Sequence, residues 1–241
     1  DAWLMLAKAE FHKGDFLGSI STFNYIARHY ANDVDVVAQC QLWTVRAYAE
    51  MGWLYEAEDV LSKVKVDNLS KKNAPLYSAV SADLMLKTKA YREAIPFVKI
   101  ALTNEDRRGN RPRFQYILAQ LYQLNGERES ACNAYNKVLK MQPSNEMDFN
   151  ARLNIALLGS STNEAVKQLY KMARLDKNKD QLDQIYGAIG DVYLANKDTT
   201  QALAYYEKGI AESTQNGTAK AKALITAGDI YYEQRNYIKA S

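Results

Sequence analysis

One small residue recurs along the whole chain at an almost constant interval. The successive steps are 38, 37, 37, 34, 37 and 38 residues. A period of this length, with apolar residues at helical rather than alternating spacing, indicates repeated helix-turn-helix units. A small side chain is needed where two helix backbones approach closely. The positions are Ser19, Ala57, Ala94, Ala131, Ala165, Ala202 and Ala240.

The stretch from Tyr116 to Pro143 is the most regular unit and sets the register of the others. It predicts two amphipathic helices with a tight turn at Asn125-Gly126. Glycine there accommodates left-handed backbone, and proline cannot continue the second helix. Apolar or small residues lie at matching offsets in the other units, so the chain is predicted to be a stack of helix pairs.

These residues resemble the tetratricopeptide repeat family. The matching motifs are Trp3-x2-Leu6-Ala7, Leu118-Ala119-x2-Tyr122 with Pro143, and Tyr186-x2-Ile189-Gly190-x2-Tyr193. The resemblance implies an all-α fold, an α-α superhelix formed by a solenoid of antiparallel helix pairs. We expect one solenoid over residues 1–241, cut from a longer chain. Its repeats are expected at 1–36, 37–74, 75–111, 112–145, 146–182 and 183–219, with a partial seventh at 220–241.

The boundaries between units carry local signals. Pro75, Pro112 and Pro143 fall between repeats. Thr162 or Asn163 is the expected cap of the second helix in the fifth repeat, and Asp198 that in the sixth. The segment 107–113 (RRGNRPR) is the densest basic patch. A solvated loop is the favoured interpretation because acidic residues adjoin it and no aromatics interleave.

Composition and motifs argue against several classes of function. The net charge of +3 is too small to imply a nucleic-acid or membrane partner. No apolar run approaches the roughly 18 residues of a membrane span. His12 and His29 lack a ligand cluster at metal spacing, and no phosphate loop or nucleophile elbow is present. We therefore expect no enzyme, catalytic residue, cofactor or metal, and two free buried thiols at Cys40 and Cys132.

One polar row is the candidate binding surface. In the resembled family the first helices line a concave groove, and the position after the small residue of that helix faces the ligand. In this chain the row is basic at its amino end and acidic at its carboxyl end. Its residues are Lys8, Arg46, Asp83, Gln120, Asn154, Asp191 and Asp229.

A second row lies one turn earlier on the same helices. Tyr116 and Asn150 from this row join the candidate site, which suits a peptide segment. The alternative interpretation is that any solvent-facing helix row is polar. The family's carboxylate clamp is not predicted, since Asp191 puts a negative charge where a clamp needs a neutral or basic group. The row comprises Leu4, Leu42, Ala79, Tyr116, Asn150, Gly187 and Ile225.

The leading hypothesis is a non-catalytic scaffold that binds a protein or peptide in the groove. Reversing Asp191 and Asp229 to lysine is expected to weaken partner binding without changing the fold. The alternatives are an RNA-binding helical-repeat protein and a regulatory domain of an enzyme complex. Phosphate repulsion by the acidic end of the row argues against nucleic acid.

A narrower resemblance concerns the segments 2–16, 51–64 and 178–214. They are similar to the large outer-membrane repeat lipoproteins of Bacteroidetes, which are associated with gliding motility and type IX secretion. The resemblance implies an envelope scaffold on the periplasmic side of the outer membrane, tethered through a missing amino-terminal lipid anchor. A cytoplasmic location is the alternative.

Overall fold

The computed structural model describes residues 2–105, 109–159, 161–214 and 217–240. These residues form fourteen α-helices and two 3-10 turns, and they contain no β-strand. The prediction of an all-α solenoid of helix pairs is confirmed. Within the described ranges, no helix is both long and apolar enough to cross a bilayer.

The chain divides into two compact units, residues 1–134 and 135–241. Helix α8, Arg128–Leu139, contributes its first part to unit 1 and its last part to unit 2. A 3-10 turn, Val66–Asn68, follows the fourth helix of unit 1. The other helices of unit 1 are α1, Ala2–Lys13; α2, Phe16–His29; α3, Val34–Glu50; α4, Leu54–Ser62; α5, Ala74–Lys87; α6, Tyr91–Asn104; and α7, Arg111–Leu124.

Unit 2 continues the alternation of first and second helices. A 3-10 turn, Asp176–Gln181, precedes its third helix. Its helices after α8 are α9, Asn145–Leu157; α10, Thr162–Ala173; α11, Leu182–Ala195; α12, Thr199–Glu212; α13, Thr218–Glu233; and α14, Tyr237–Ala240.

The core is a series of clusters, each shared by one helix pair and the first helix of the next. In unit 1, Phe23 of α2 packs with Trp43 of α3. In unit 2, Leu169 of α10 packs with Ile185 of α11. Burying one such aliphatic side chain stabilises the fold by about 1.5–3 kcal/mol. Each pair therefore depends on its neighbour for burial, as in a solenoid.

The predicted small residues lie at the contact between paired helices. Ala57, Ala94, Ala131 and Ala202 are completely buried, and so is Ser19. A larger side chain at these positions would force the helices apart, because protein interiors are close-packed. The sequence register is confirmed at these positions.

Among the described residues, six turns between paired helices share one backbone geometry. The residue five places before the small residue adopts left-handed backbone, with φ of 76° at Gly126 and 63° at Lys197. The next residue donates a backbone hydrogen bond across the turn, as from Glu127 to Tyr122 at 2.9 Å. This bond ends the first helix and reverses the chain. The left-handed residues of these turns are Gly14, Gly52, Lys89, Gly126, Lys197 and Arg235.

Side-chain caps fix several second helices. The Asp198 side chain accepts a 3.0 Å hydrogen bond from the Gln201 amide, as predicted. The cap predicted for the fifth repeat is wrong. Ser161 in extended backbone is the cap and accepts a bond from the Glu164 amide at 3.3 Å, because α10 already begins at Thr162.

The prolines and cysteines lie close to where the sequence places them. Pro75 and Pro112 occupy the first turns of α5 and α7, where a missing amide hydrogen costs least. Pro143 lies between α8 and α9. Neither cysteine forms a disulfide within the described residues, but only Cys40 is buried, so the prediction of a buried Cys132 is wrong. Cys132 is half-buried on the second helix of its pair.

Candidate functional site

The first helices of unit 2 enclose a cleft of about 480 Å³. Leu153 and Leu157 of α9 form one wall, and Thr218 and Lys222 of α13 form the other. Helix α11 lies between them and contributes Gly187 to the floor. The cleft therefore opens on the helices that carry the predicted polar row.

The floor of the cleft is open because Gly187 has no side chain. A Cβ added there would meet no heavy atom within 4 Å. Gly190, three residues later, is different, since a Cβ there would lie 2.6 Å from the Tyr206 ring. Gly190 is a packing glycine, whereas Gly187 leaves space that a ligand side chain can occupy.

The rim of the cleft carries a bonded charge pair. Lys222 Nζ lies 2.7 Å from Asp191 Oδ2. The Tyr206 hydroxyl donates a 2.7 Å hydrogen bond to Asp191 Oδ1. Burial, and then the bond to Asp191, raise the pKa of Tyr206 well above its ordinary value. Asp191 therefore lies on the predicted face, and its charge is paired with that of Lys222. Because reversing the charge of Asp191 would break this pair and the bond from Tyr206, we expect the reversal to destabilise the fold.

A buried carboxylate closes the base of the same cleft. The Asp183 carboxylate accepts a hydrogen bond from Ser213 Oγ at 2.9 Å and another from the backbone N–H of Gln184 at 2.8 Å. These donors satisfy both oxygens of the side chain, as burial of a polar group requires. Asp183 is therefore a fixed acceptor group that orients the start of α11.

The first helices of unit 1 bring two predicted basic residues to one aromatic ring. The Arg46 guanidinium carbon lies 4.3 Å from the Trp43 ring centroid and 4.9 Å from that of Phe11. Lys8 Nζ lies 5.4 Å from the Trp43 centroid. Phe23 stacks on the same indole at 6.1 Å. Cation–π contact with a packed indole fixes both cations on this face.

The charges around this ring are unevenly paired. Lys87 lies 2.8 Å from Glu50 and 3.4 Å from Asp83, so both carboxylates face Lys87. Burial lowers the pKa of Arg46, and the more distant Asp83 and Glu50 oppose this. The predicted residue Asp83 is therefore on the same face as Arg46 but is already in an ion pair.

Burial also affects the two groups beside the ring on α1 and α3. Burial first, and Lys72 second, lower the pKa of Lys8. Burial raises the pKa of the Cys40 thiol to about 11, and Lys8 opposes this. The thiol is neutral at physiological pH and is not an activated nucleophile.

The remaining predicted residues lie on α7, α9 and α13. Tyr116 is half-buried and Gln120 exposed on α7, and Asp229 is exposed on α13. The Asn154 amide donates to the Asn150 carbonyl at 2.8 Å, so part of its capacity is used within α9. Each of these residues lies on a first helix, as the polar row requires.

One residue of the second row does not line the face. Leu42 is completely buried and packs with Val45, Ala57 and Leu84. The prediction that it lines the groove is wrong, because at that point α3 turns its apolar side toward α4 and α5. Ile225, in the same row, is 67% exposed.

Sequence reasoning missed three residues that complete these surfaces. Trp43 lies three residues before Arg46, and Lys222 lies three before Ile225, so helical spacing places each one turn from a residue of the two rows. Extending the row by one or two turns would have found them. The third is Tyr206, whose bond to Asp191 has no sequence signal.

Two further predictions concern metals and the basic patch. Within the described ranges, no group of three or more His, Cys, Asp or Glu side chains is arranged to hold a metal ion. Arg107 and Arg108 of the basic patch lie outside the described residues. Arg111 and Arg113 are exposed in the first turn of α7.

The sequence matches the profile of the tetratricopeptide repeat over residues 3–222. The chain belongs to the tetratricopeptide repeat family. The match covers most of both units. No curated protein matches the chain significantly.

Solved structures of tetratricopeptide repeat proteins share the fold. A tetratricopeptide repeat protein from Parabacteroides merdae is 14% identical with a TM-score of 0.71, covering 99% of this chain and 88% of that one. YrrB, described as having an unusual peptide-binding site, is 15% identical with a TM-score of 0.53, over 83% and 96%. NprR, a quorum sensor from B. thuringiensis, solved with its cognate peptide NprX, is 16% identical with a TM-score of 0.52, over 96% and 75%.

Proposed function

We propose that the chain is a non-catalytic scaffold that binds a peptide or protein segment along its first helices. The observation that carries this proposal is the cleft of unit 2, with an open floor at Gly187. YrrB and NprR, which share the fold, are described with a peptide-binding site and a bound peptide. Both descriptions support a peptide ligand for this chain.

The chemistry of the cleft suits one anchoring side chain. Its walls include Leu153, Leu157 and Ala223, while Lys222 and Gln184 supply polar groups at the rim. Small-molecule and side-chain pockets combine an apolar interior with a few orienting polar groups in this way. In this proposal an apolar side chain of the bound segment fills the space above Gly187. The backbone of the segment forms hydrogen bonds with the polar groups at the rim.

The repeats form one solenoid scaffold with the boundaries given by the sequence register. The narrower proposal is a cell-envelope scaffold in gliding motility or secretion, tethered by a lipid anchor. The similarity of the segment 178–214 to the Bacteroidetes repeat lipoproteins supports it. Loss of gliding or secretion after deletion in a Bacteroidetes host would support this setting, and normal gliding and secretion would contradict it.

A steric plug tests the cleft. Random peptides displayed on phage are selected on the purified chain, and the affinity of a selected peptide is measured for Gly187→Leu. The leucine side chain would occupy the open floor, where an added Cβ meets no other atom within 4 Å. If the anchoring side chain of the peptide contributes about 2 kcal/mol, its exclusion should lower the affinity about 30-fold.

Ala204→Leu is the matched control, since it adds the same kind of bulk at an exposed position of α12. It is expected to bind like the parent. If no peptide is selected, or if Gly187→Leu binds as tightly as Ala204→Leu, the cleft is not the binding site.

A further inference from the structure

We propose that Lys8, Arg46 and Trp43 form a subsite for one carboxylate side chain of the bound segment. This inference rests on the proposed function, because it assigns an acidic side chain to a segment that binds along the first helices. It concerns the first helices of unit 1 only. The feature that carries it is a pair of cations on one indole ring without an anionic partner.

Neither of the two cations has an anionic partner in the part of the chain that the structure describes. The described residues give neither Lys8 nor Arg46 a hydrogen bond or an ion pair within 4.0 Å. Both side chains are half-buried. Cations withdrawn from water are normally paired, since their desolvation is otherwise uncompensated. The lowered pKa values of both groups express the same cost.

The nearby carboxylates do not fill this role. Glu50 and Asp83 are the acidic groups that act on Arg46, and both are bonded to Lys87. Among charged groups, Lys72 has the largest effect on the pKa of Lys8, and it lowers that pKa by repulsion. The surroundings of the ring therefore keep an excess of positive charge.

The geometry favours a carboxylate over a larger anion. The guanidinium carbon of Arg46 lies 4.3 Å from the Trp43 centroid, and this contact with the indole limits the movement of the guanidinium. A planar guanidinium edge matches a carboxylate with two parallel hydrogen bonds. Lys8 Nζ lies 5.4 Å from the same centroid, so a second positive charge adjoins the ring. The paired acids Glu50 and Asp83 nearby oppose a dianion such as phosphate.

The test uses small probes and the NMR signal of the Trp43 indole N–H. The probes are N-acetylaspartate amide, its neutral isostere N-acetylasparagine amide, and inorganic phosphate. We expect a saturable shift with the aspartate probe, a weaker response to phosphate, and none with asparagine. Arg46→Gln and Lys8→Gln should each weaken the aspartate affinity about fivefold or more.

Three further variants separate binding from folding. Lys99→Gln removes an exposed lysine 5.6 Å from the Tyr122 ring centroid and is expected to bind like the parent. Arg46→Lys keeps the charge but loses the fork, so we expect intermediate affinity. Glu50→Gln removes a competing carboxylate and is expected to tighten binding, a gain that damage to the fold would not produce.

The outcomes are distinct from those of the plug experiment. An equal response to aspartate and asparagine, or no effect of Arg46→Gln and Lys8→Gln, would overturn the subsite. Tighter binding of phosphate would overturn the carboxylate assignment. Selected peptides that lose affinity for Gly187→Leu support the proposed function. If those peptides are not enriched in Asp or Glu relative to peptides selected on Arg46→Gln, the subsite is contradicted while the proposed function stands. A carboxylate response without any selected peptide would contradict the proposed function alone.

Discussion

The Tyr206 hydroxyl donates a 2.7 Å hydrogen bond to Asp191, which links the cleft rim on α11 to a buried side chain of α12. The same carboxylate is paired with Lys222 on α13. Asp191 therefore joins three helices, while its exposed edge faces the cleft. A residue of the candidate site is in this way also part of the fold.

Replacing Asp191 should reduce stability as well as binding. Asp191→Ala leaves the Tyr206 hydroxyl without its acceptor, and we expect a loss of about 1 kcal/mol in unfolding free energy. Asp191→Lys should cost more, because it adds repulsion with Lys222. Asp229→Lys, at an exposed position, should stay within about 0.5 kcal/mol of the parent. Urea unfolding measures all three, and equal midpoints for the two lysine variants would contradict the role of Asp191.

The left-handed turn residues give an opposed pair of predictions. Gly126→Ala should destabilise by about 1 kcal/mol, because its φ of 76° is strained for alanine although a Cβ would meet nothing within 4 Å. Lys197→Gly should stabilise by a few tenths of a kcal/mol to about 1 kcal/mol, because it relieves the same strain at φ 63°. Thermal unfolding checks both, and shifts of the same sign would show that the turns are not equivalent.

The repeat register could be predicted from sequence because it is a property of single helices and turns. Ala131 is buried and Gly126 left-handed, as spacing requires. Contacts between helices could not be predicted in the same way. The bond from Tyr206 to Asp191 and the burial of Leu42 depend on which side of a helix faces its neighbours, and a row of equivalent positions does not encode that.

The candidate site was predictable in part for the same reason. Lys8 and Arg46 occupy equivalent positions on α1 and α3, so periodicity placed them on one face. Their shared contact with Trp43 depends on the packing of α1 on α3, which a row of equivalent positions does not reveal. Asp191 was found by position, but its neutralisation by Lys222 came only from the structure.

Enlarging a helix-contact residue should be costly. Ala131 is completely buried, so Ala131→Trp is expected to destabilise by about 1–3 kcal/mol through overpacking. Ala204→Trp makes the same change at an exposed position and should be nearly neutral. The unfolding free energy in urea is the measurement. An unchanged value for Ala131→Trp would show that the register of the fourth pair is wrong.

Cys40 should make the fold less stable in alkali. Its folded pKa is raised to about 11 by burial, whereas an exposed thiol titrates near about 8.5. The unfolded chain therefore loses the proton first, and stability falls as pH rises from about 8.5 to about 11. Cys40→Ala should flatten this part of the profile of unfolding free energy against pH. Cys132→Ala, at a less buried thiol, should change it less, and identical slopes would contradict the assignment.

Gly187→Ala distinguishes the effect of this position on helix stability from its effect on peptide binding. Glycine within a helix costs about 1 kcal/mol relative to alanine, and an added Cβ has free space here. We expect the variant to melt at a higher temperature while a selected peptide still binds. A lower melting temperature would mean that the floor of the cleft is packed against other atoms.

The location of a bound peptide tests the central claim most directly. Amide chemical shifts of the labelled chain are compared with and without a selected peptide. Binding along the first helices predicts the largest changes at Gly187, Thr218 and Lys222, with small changes on the exposed side of α12 around Ala204. Changes concentrated around Ala204, with none in the cleft, would contradict the proposal.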